Sequence, residues 1–135
     1  MEYATLGSTD LRISRVAFGA GPIPQLMTTG DAGQLQHATV EQALELGVNW
    51  FDTAATYGMG RSEESLGATL AELAALDKGH LATKVRLMPT DLDDISGNIE
   101  ASVMGSLTRL RVERLTLLQL HNSVTVGRGD EPTSL

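Results

Sequence analysis

Four short apolar runs alternate with helical segments along most of this chain, and that alternation constrains the fold more than any other feature. The four runs, each predicted to be a β-strand, occupy residues 15–18, 48–51, 80–85 and 115–120. A predicted β-hairpin precedes them, with strands at residues 3–6 and 11–14 around a polar turn. Strands that alternate with helices indicate a parallel sheet with helices packed outside it.

Three segments between those runs carry helical patterns. They are residues 34–46, a segment that begins with Ser62 as N-cap and runs to about residue 76, and residues 95–110. Glu63 and Glu64 lie in the first turn of the second helix, where they favour the helix dipole. The predicted apolar face of the first helix consists of Leu35, Ala38, Ala43, Leu44 and Leu46. In the third helix the apolar stripe consists of Ile95, Ile99, Val103, Leu107 and Leu110.

The resulting order, β-α-β-α-β-α-β after a hairpin, fits two architectures. One is an open doubly wound sheet, and the other is part of an eight-stranded barrel. The strand runs are apolar rather than alternating, which is typical of parallel strands covered on both faces. The 135 residues suffice for one domain with a modest core, and residues 122–135 are predicted to form a loop.

Composition and charge exclude several classes of function. With 17 acidic residues against 10 Lys and Arg and no basic cluster, nucleic acid is not an expected partner. The chain has no cysteine, and its three histidines lie far apart, so neither disulfides nor a metal site are expected. Neither a signal peptide nor a membrane-spanning run is visible, so a cytoplasmic protein is expected.

Four polar residues fall at or just after the carboxyl ends of the predicted strands. Asp52 follows the second strand, Lys84 ends the third, and His121 follows the fourth, while Tyr57 lies in the loop after the second strand. The carboxyl ends of parallel strands share one face, so these side chains are expected to converge. Each residue type also has an ordinary structural role, as a cap, a solvated cation or a packed ring, and convergence alone names no reaction.

Several segments resemble the aldo-keto reductase family. They are WFDTAATYG at residues 50–58 with LGVN before it, SEESLG at 62–67, LATK at 81–84, LLQLHN at 117–122, and the entry from LGST at 6–9 to FGAG at 18–21. In that family the Asp of the first segment and the Tyr five residues later belong to the active site. The resemblance implies the N-terminal half of a (β/α)8 barrel and places residues 1–135 in a single partial domain.

The resemblance also implies a reaction and residue roles. The family reduces aldehydes and ketones with a nicotinamide cofactor, usually NADPH, with NADH as the alternative. Tyr57 would be the general acid, Lys84 would favour its phenolate, and Asp52 would hold Lys84. His121 would hydrogen-bond the carbonyl oxygen of a small-molecule substrate.

The loop after the first strand would meet the nicotinamide end of the cofactor. The resemblance places Gly21 and Pro22 there, with Asp52 also beside the cofactor, and Pro22 stands where the family usually has a small polar residue. A dinucleotide fingerprint of the Rossmann type is rejected, because the FGAG segment lacks a third glycine and no helix opens directly after it.

A barrel of eight strands typically needs about 250 residues, and this sequence supplies four strands. Three explanations stay open: a fragment of a longer enzyme, a half-barrel completed by a second chain, or a non-catalytic interaction module that keeps the fold elements. The first is favoured, because the predicted tail has no closing element. The later cofactor-binding loops of the family would then lie beyond this sequence.

Overall fold

A computed structural model describes residues 1–21, 26–29 and 33–123. Their secondary structure comprises six strands, three α-helices and a 3₁₀ helix at Pro89–Asp94. The strands are β1 (Tyr3–Thr5), β2 (Arg12–Ser14), β3 (Phe18–Gly19), β4 (Trp50–Asp52), β5 (His80–Val85) and β6 (Leu117–Leu120). The helices are α1 (Gly33–Glu45), α2 (Arg61–Glu72) and α3 (Ile95–Leu110).

Two separate sheets organise these elements. β1 and β2 pair antiparallel as a hairpin, and the other four strands form a sheet in the order β3-β4-β5-β6 with every neighbouring pair parallel. Strand order follows chain order, so each helix is a crossover between neighbouring parallel strands. The prediction of an α/β fold with four parallel strands and three helices after a hairpin is confirmed.

The two faces of the parallel sheet have different partners. Because side chains alternate along a strand, Phe51 of β4 and its register partner Leu81 of β5 share one face, and Asp52 lies on the other. The first face meets α2 and α3, where Leu66, Leu70 and Leu110 are fully buried with Phe51. Each buried leucine side chain stabilises the fold by about 2 kcal/mol. The core therefore lies between sheet and helices and leaves the second face for polar side chains.

A close contact between α2 and α3 completes this layer. A Cβ added to Gly67 would lie 2.6 Å from the carbonyl oxygen of Arg109 and 2.7 Å from backbone atoms of Leu110. Only glycine allows the backbones to approach so closely, since any side chain would overlap backbone that cannot rotate away. Asp94 caps α3, where its side chain accepts from the Gly97 N–H at 2.9 Å.

The predicted apolar face of α1 is wrong in part. Leu35 and Leu46 are 63% and 62% exposed, whereas Gln36 and Val40 are the buried residues of this helix. The Gln36 side-chain amide donates to the carbonyl oxygens of Leu26 and Thr29 at 2.6 and 3.2 Å. Gln36 is buried because the backbone carbonyls of the preceding loop require a donor, and the spacing of apolar residues does not reveal that requirement.

Several predicted boundaries also differ from the structure. The first parallel strand is Phe18–Gly19 rather than residues 15–18, and Val16 is exposed. Ser62 is not an N-cap: Gly60 takes that position with φ +92°, and α2 ends at Glu72 rather than near residue 76. A left-handed cap suits glycine and leaves Ser62 inside the first turn. The last strand begins at residue 117 instead of 115.

β6 forms one edge of the sheet. Its residues Leu118 and Leu120 pair in register with Thr83 and Val85, so they point to the helix side, yet both remain exposed.

Residues 124–135, most of the predicted terminal loop, lie outside the described residues. In the ranges that the structure describes, none of the helices combines the length and the apolar character needed to cross a membrane.

Candidate active site

An ion pair on the polar face of the sheet forms the centre of the site. Asp52, the last residue of β4, accepts through Oδ1 from Lys84 Nζ of β5 at 2.5 Å. The same ammonium group donates to the carbonyl oxygen of Thr53 at 2.7 Å. The Lys84 side chain is only 13% exposed and that of Asp52 31%, so the pair is screened by solvent much less than a surface pair.

Tyr57 lies over this pair in the turn between β4 and α2. Lys84 Nζ is 5.0 Å from the centroid of its ring, which is within the range of a cation–π contact. The turn is held by a hydrogen bond from the Tyr57 N–H to the Ala54 carbonyl at 3.0 Å. Gly58, with φ +60°, packs so closely against Thr28 that an added Cβ would lie 3.0 Å from its Cβ. The local backbone therefore holds the phenol ring next to the ammonium group.

His121 completes the group from the loop after β6. The backbone N–H of His121 donates to the Val85 carbonyl at 2.7 Å. Its imidazole ring contacts the Tyr57 ring edge-on, with the ring centroids 5.6 Å apart. Thr56 Oγ1 lies 3.2 Å from His121 Nδ1. When the threonine hydroxyl donates to Nδ1, the neutral imidazole carries its proton on Nε2 and can donate it elsewhere.

The pKa of His121 is lowered from its ordinary value near 6.5. Burial is the largest cause, followed by the positive charges of Lys84 and Arg86, while Asp52 acts in the opposite direction. The imidazole is therefore neutral over a wider pH range than a free histidine. A neutral ring next to a lysine can donate one hydrogen bond without adding a second full charge to the site.

The structure thus brings Asp52, Tyr57, Lys84 and His121 to one place, as their positions at strand ends predicted. Gly21 lies at the same place, since an added Cβ would meet Tyr57 Cε2 at 3.9 Å. Pro22 lies outside the described residues. The catalytic and cofactor-binding roles assigned to these residues stay predictions.

Gln119 is a site residue that the sequence analysis missed. Its side-chain amide donates to Asp52 Oδ2 at 3.2 Å, so both carboxylate oxygens of Asp52 are occupied. Gln119 pairs in register with Lys84 across β5 and β6. A signal was available, because a polar residue two positions before His121 on an otherwise apolar strand shares its face of the sheet.

Asn122 has a structural contact rather than a place in the group. Its carboxamide accepts from the Leu87 N–H at 3.0 Å and donates to the Leu87 carbonyl at 2.9 Å. These two hydrogen bonds to the Leu87 backbone fix the loop after β5 against the loop after β6. Asn122 thereby supports the segment that carries His121.

Other features of the described residues compete poorly as a site for chemistry. A groove of about 760 Å³ lies at the opposite, amino end of the strands, between Leu11 of the hairpin, His80 of β5 and Arg111 after α3. It contains none of the converging polar residues. Across residues 1–21, 26–29 and 33–123, no three His, Asp or Glu side chains lie close enough together to hold a metal ion.

Comparison with known proteins identifies relatives that match most of this chain. The model of the Aldo/keto reductase family matches residues 16–126. L-galactose dehydrogenase of Arabidopsis thaliana is 33% identical over 126 residues, covering 90% of this chain and 38% of that protein. The structure of the glycerol dehydrogenase AKR11B4 from Gluconobacter oxydans is 34% identical with a TM-score of 0.72, covering 96% of this chain and 42% of that one.

A more distant structure shares the fold. The aldo/keto reductase from Klebsiella pneumoniae, solved in complex with NADP and acetate, is 22% identical with a TM-score of 0.67, covering 81% of this chain and 35% of that one. The four parallel strands and three helices thus match part of a family barrel, which resolves the choice left open between a barrel and a doubly wound sheet. The chain spans about two fifths of the length of the relatives named above.

Proposed function

This chain belongs to the aldo/keto reductase family, and we propose that it carries the proton-transfer residues of a nicotinamide-dependent oxidoreductase that reduces aldehyde or ketone carbonyls to alcohols. The observation that carries the proposal is the arrangement of Lys84, which is hydrogen-bonded to Asp52 at 2.5 Å and lies 5.0 Å from the Tyr57 ring.

Tyr57 is the proposed general acid. As hydride reaches the carbonyl carbon, the carbonyl oxygen gains negative charge and takes the phenolic proton, which leaves a phenolate on Tyr57. The Lys84 ammonium group stabilises that phenolate by direct electrostatic attraction. Asp52 and the Thr53 carbonyl hold the Lys84 ammonium group in place, so little reorganisation is needed when the proton moves.

His121 is the proposed directing donor. Its lowered pKa keeps the imidazole neutral near pH 7, and the Thr56 contact at Nδ1 leaves Nε2–H available for a substrate oxygen. A neutral donor orients the carbonyl without competing with Tyr57 to deliver a proton. The edge-on contact of its ring with Tyr57 keeps the two donors close to the same oxygen.

The proposed cofactor is NADPH, with NADH as the alternative, and when bound it supplies the hydride. Family membership and the NADP complex of the Klebsiella relative support a nicotinamide cofactor. The residues present fit its reactive end: Gly21 has no side chain to fill the space beside the Tyr57 ring, and Asp52, Gln119 and His121 bring polar groups to that space. Pro22 and Asp52 stay the other proposed contacts with the cofactor.

A small-molecule carbonyl compound is the proposed substrate, and a larger barrel is the proposed setting. Leu118 and Leu120 remain exposed on the helix side of β6, where a further strand and helix would cover them. The matched relatives are more than twice as long as this chain. We therefore expect the other strands to come from the same protein or from a second chain.

The test uses the complete protein that contains this chain. Oxidation of NADPH is followed by the absorbance of the reduced nicotinamide with a panel of aldehydes and ketones, for wild type, Tyr57→Phe and Tyr3→Phe. Loss of a general acid should lower kcat by at least about a hundredfold, with NADPH binding retained. Tyr3→Phe is the matched control: Tyr3, in the hairpin, donates to the carbonyl of Gly47 after α1, and its replacement should leave turnover unchanged.

Two outcomes would contradict the proposal. Turnover that survives Tyr57→Phe would remove Tyr57 as the acid. A wild-type protein that neither binds NADPH nor reduces any carbonyl compound would favour the non-catalytic interaction module.

A further inference from the structure

Two consecutive residues at the start of α2 bind, from the helix side of the sheet, the neighbours of the two ion-pair residues. Ser62 and Glu63 are both fully buried, although they are polar and charged. Ser62 Oγ lies 2.8 Å from Thr53 Oγ1, and Glu63 Oε1 accepts from Thr83 Oγ1 at 2.6 Å. Each partner is the sequence neighbour of one ion-pair residue: Thr53 directly follows Asp52, and Thr83 directly precedes Lys84.

The directions of these hydrogen bonds can be assigned. Ser62 Oγ donates its one hydrogen to the Ala20 carbonyl at 2.6 Å, so the bond to Thr53 must use the threonine hydrogen. Ser62 therefore links the end of β3 to the end of β4. The Thr53 carbonyl in turn accepts from Lys84, so the fixed residue is itself part of the site.

Glu63 makes the corresponding link to β5. Its second oxygen accepts from Arg109 Nε of α3 at 2.7 Å, so one carboxylate joins a strand to two helices. A fully buried carboxylate is costly, and apolar side chains of similar volume often stabilise a core as well or better. Hydrogen bonds depend on distance and angle, however, so they fix both the position and the orientation of the strand residue that makes them.

Fixing one strand residue orients its neighbour. Side chains next to each other on a strand point to opposite faces, so holding the Thr83 hydroxyl on the helix side aims the Lys84 side chain at the polar side. Thr53 directly follows the last residue of β4, so its hydrogen bond to Ser62 holds the backbone next to Asp52. The two ends of the Lys84–Asp52 ion pair are thus each set by one residue of the first turn of α2.

We propose that Ser62 and Glu63 are positioning residues: Ser62 holds Asp52 in place through Thr53, and Glu63 holds Lys84 in place next to Tyr57 through Thr83. The inference rests on the proposed function for its effect on turnover and on geometry alone for the placement of Lys84. Neither residue touches the reacting atoms.

The first test removes one link without changing shape. In the complete protein, Thr83→Val deletes the hydroxyl that binds Glu63 and keeps the branched side chain, and Thr83→Ser restores a donor. We expect kcat to fall about tenfold in Thr83→Val, since small misplacement of a catalytic group costs this much or more, with the KM for the carbonyl compound unchanged and kcat recovered in Thr83→Ser. Val40→Ala, a fully buried position of α1, controls for lost stability alone.

The second test does not depend on activity. Lys84 is one cause of the lowered pKa of His121, so the His121 imidazole, titrated by NMR, reports where the ammonium group lies. In Thr83→Val the pKa of His121 should rise toward its ordinary value, and it should stay unchanged in Val40→Ala. Thr53→Val, which cuts the link to Ser62, replaces Thr83→Val if the latter does not fold.

The outcomes separate the two proposals. An inactive wild type whose His121 pKa responds to Thr83→Val would overturn the proposed function and keep the positioning role. An active wild type in which a folded Thr83→Val has unchanged kcat and an unchanged His121 pKa would overturn the positioning role. A loss of kcat shared equally by Val40→Ala would also overturn it, because the effect would then be one of stability.

Discussion

Replacing Arg109 with methionine should destabilise the protein far more than replacing a surface arginine. Arg109 Nε lies 2.7 Å from Glu63 Oε2, and the Glu63 side chain is 0% exposed while that of Arg109 is 28% exposed. Methionine keeps an unbranched apolar side chain at this position but removes the charge and the donors. Glu63 is then left as a buried carboxylate whose remaining side-chain donor is Thr83.

The magnitude follows from what is left behind. Removing one partner of a fully buried ion pair typically costs about 3–5 kcal/mol. Two features of this site place the expected cost at the lower end, about 3 kcal/mol: the Arg109 head is partly solvated, and Thr83 still donates to the carboxylate. A second substitution, Glu63→Gln, removes the orphaned charge, so the double variant should recover part of the loss.

Urea-induced unfolding of the complete protein, followed by circular dichroism, measures these differences. Arg15→Met is the matched control, because Arg15 pairs with Glu2 at 3.2 Å with side chains 66% and 81% exposed. That variant should change the free energy of unfolding by no more than about 0.5 kcal/mol. Equal losses at Arg15 and Arg109, or a double variant less stable than Arg109→Met, would refute the reasoning.

Three further predictions follow from single contacts. Gly67→Ala should lower the free energy of unfolding by about 1–3 kcal/mol, because its Cβ would overlap backbone of α3, and a thermal melt unchanged from wild type would contradict that contact. Gln119→Leu should lower kcat of the proposed reaction without loss of folding, since it removes the hydrogen bond to one Asp52 oxygen. An unchanged kcat in steady-state kinetics would contradict this role of Gln119. Because the pKa of His121 is lower in the folded than in the unfolded chain, the unfolded chain takes up the proton at higher pH. The free energy of unfolding should therefore fall as the pH drops below about 6.5. In a His121→Asn variant, urea titrations over pH should lack that contribution.

Much of the fold could be predicted because long-range packing here follows local patterns. β5 has the predicted bounds, His80–Val85, and α3 has the predicted span, Ile95–Leu110. Both are long, strongly patterned segments in which propensity, burial and turn signals agree. The short strand at Phe18–Gly19 was misplaced, because two residues carry too little periodicity to locate a strand.

The failures on the helices have a different cause. Gln36 is buried because carbonyl oxygens of the neighbouring loop accept from it. Ser62 and Glu63 are buried against partners far away in sequence, the Ala20 carbonyl and the Arg109 guanidinium group. Sequence patterns treat a polar residue near a helix start as a cap or as a solvated charge. Such residues can be distinguished only by what they face, and no local window contains that information.

The same distinction explains why the front of the site was predictable and the back was not. The ends of parallel strands share one face, so the positions of Asp52, Lys84 and His121 along the chain already predict their meeting. The positions of Ser62 and Glu63 predict nothing similar, since a helix can rotate about its axis against the sheet. Here α2 packs with Leu66 and Leu70 in the core and with Gly67 close against the backbone of α3, and in this orientation Ser62 and Glu63 are buried. The packing of α2 against α3 and the core, which no local window of the sequence contains, therefore decides that these two polar side chains meet Thr53 and Thr83 beside the ion pair.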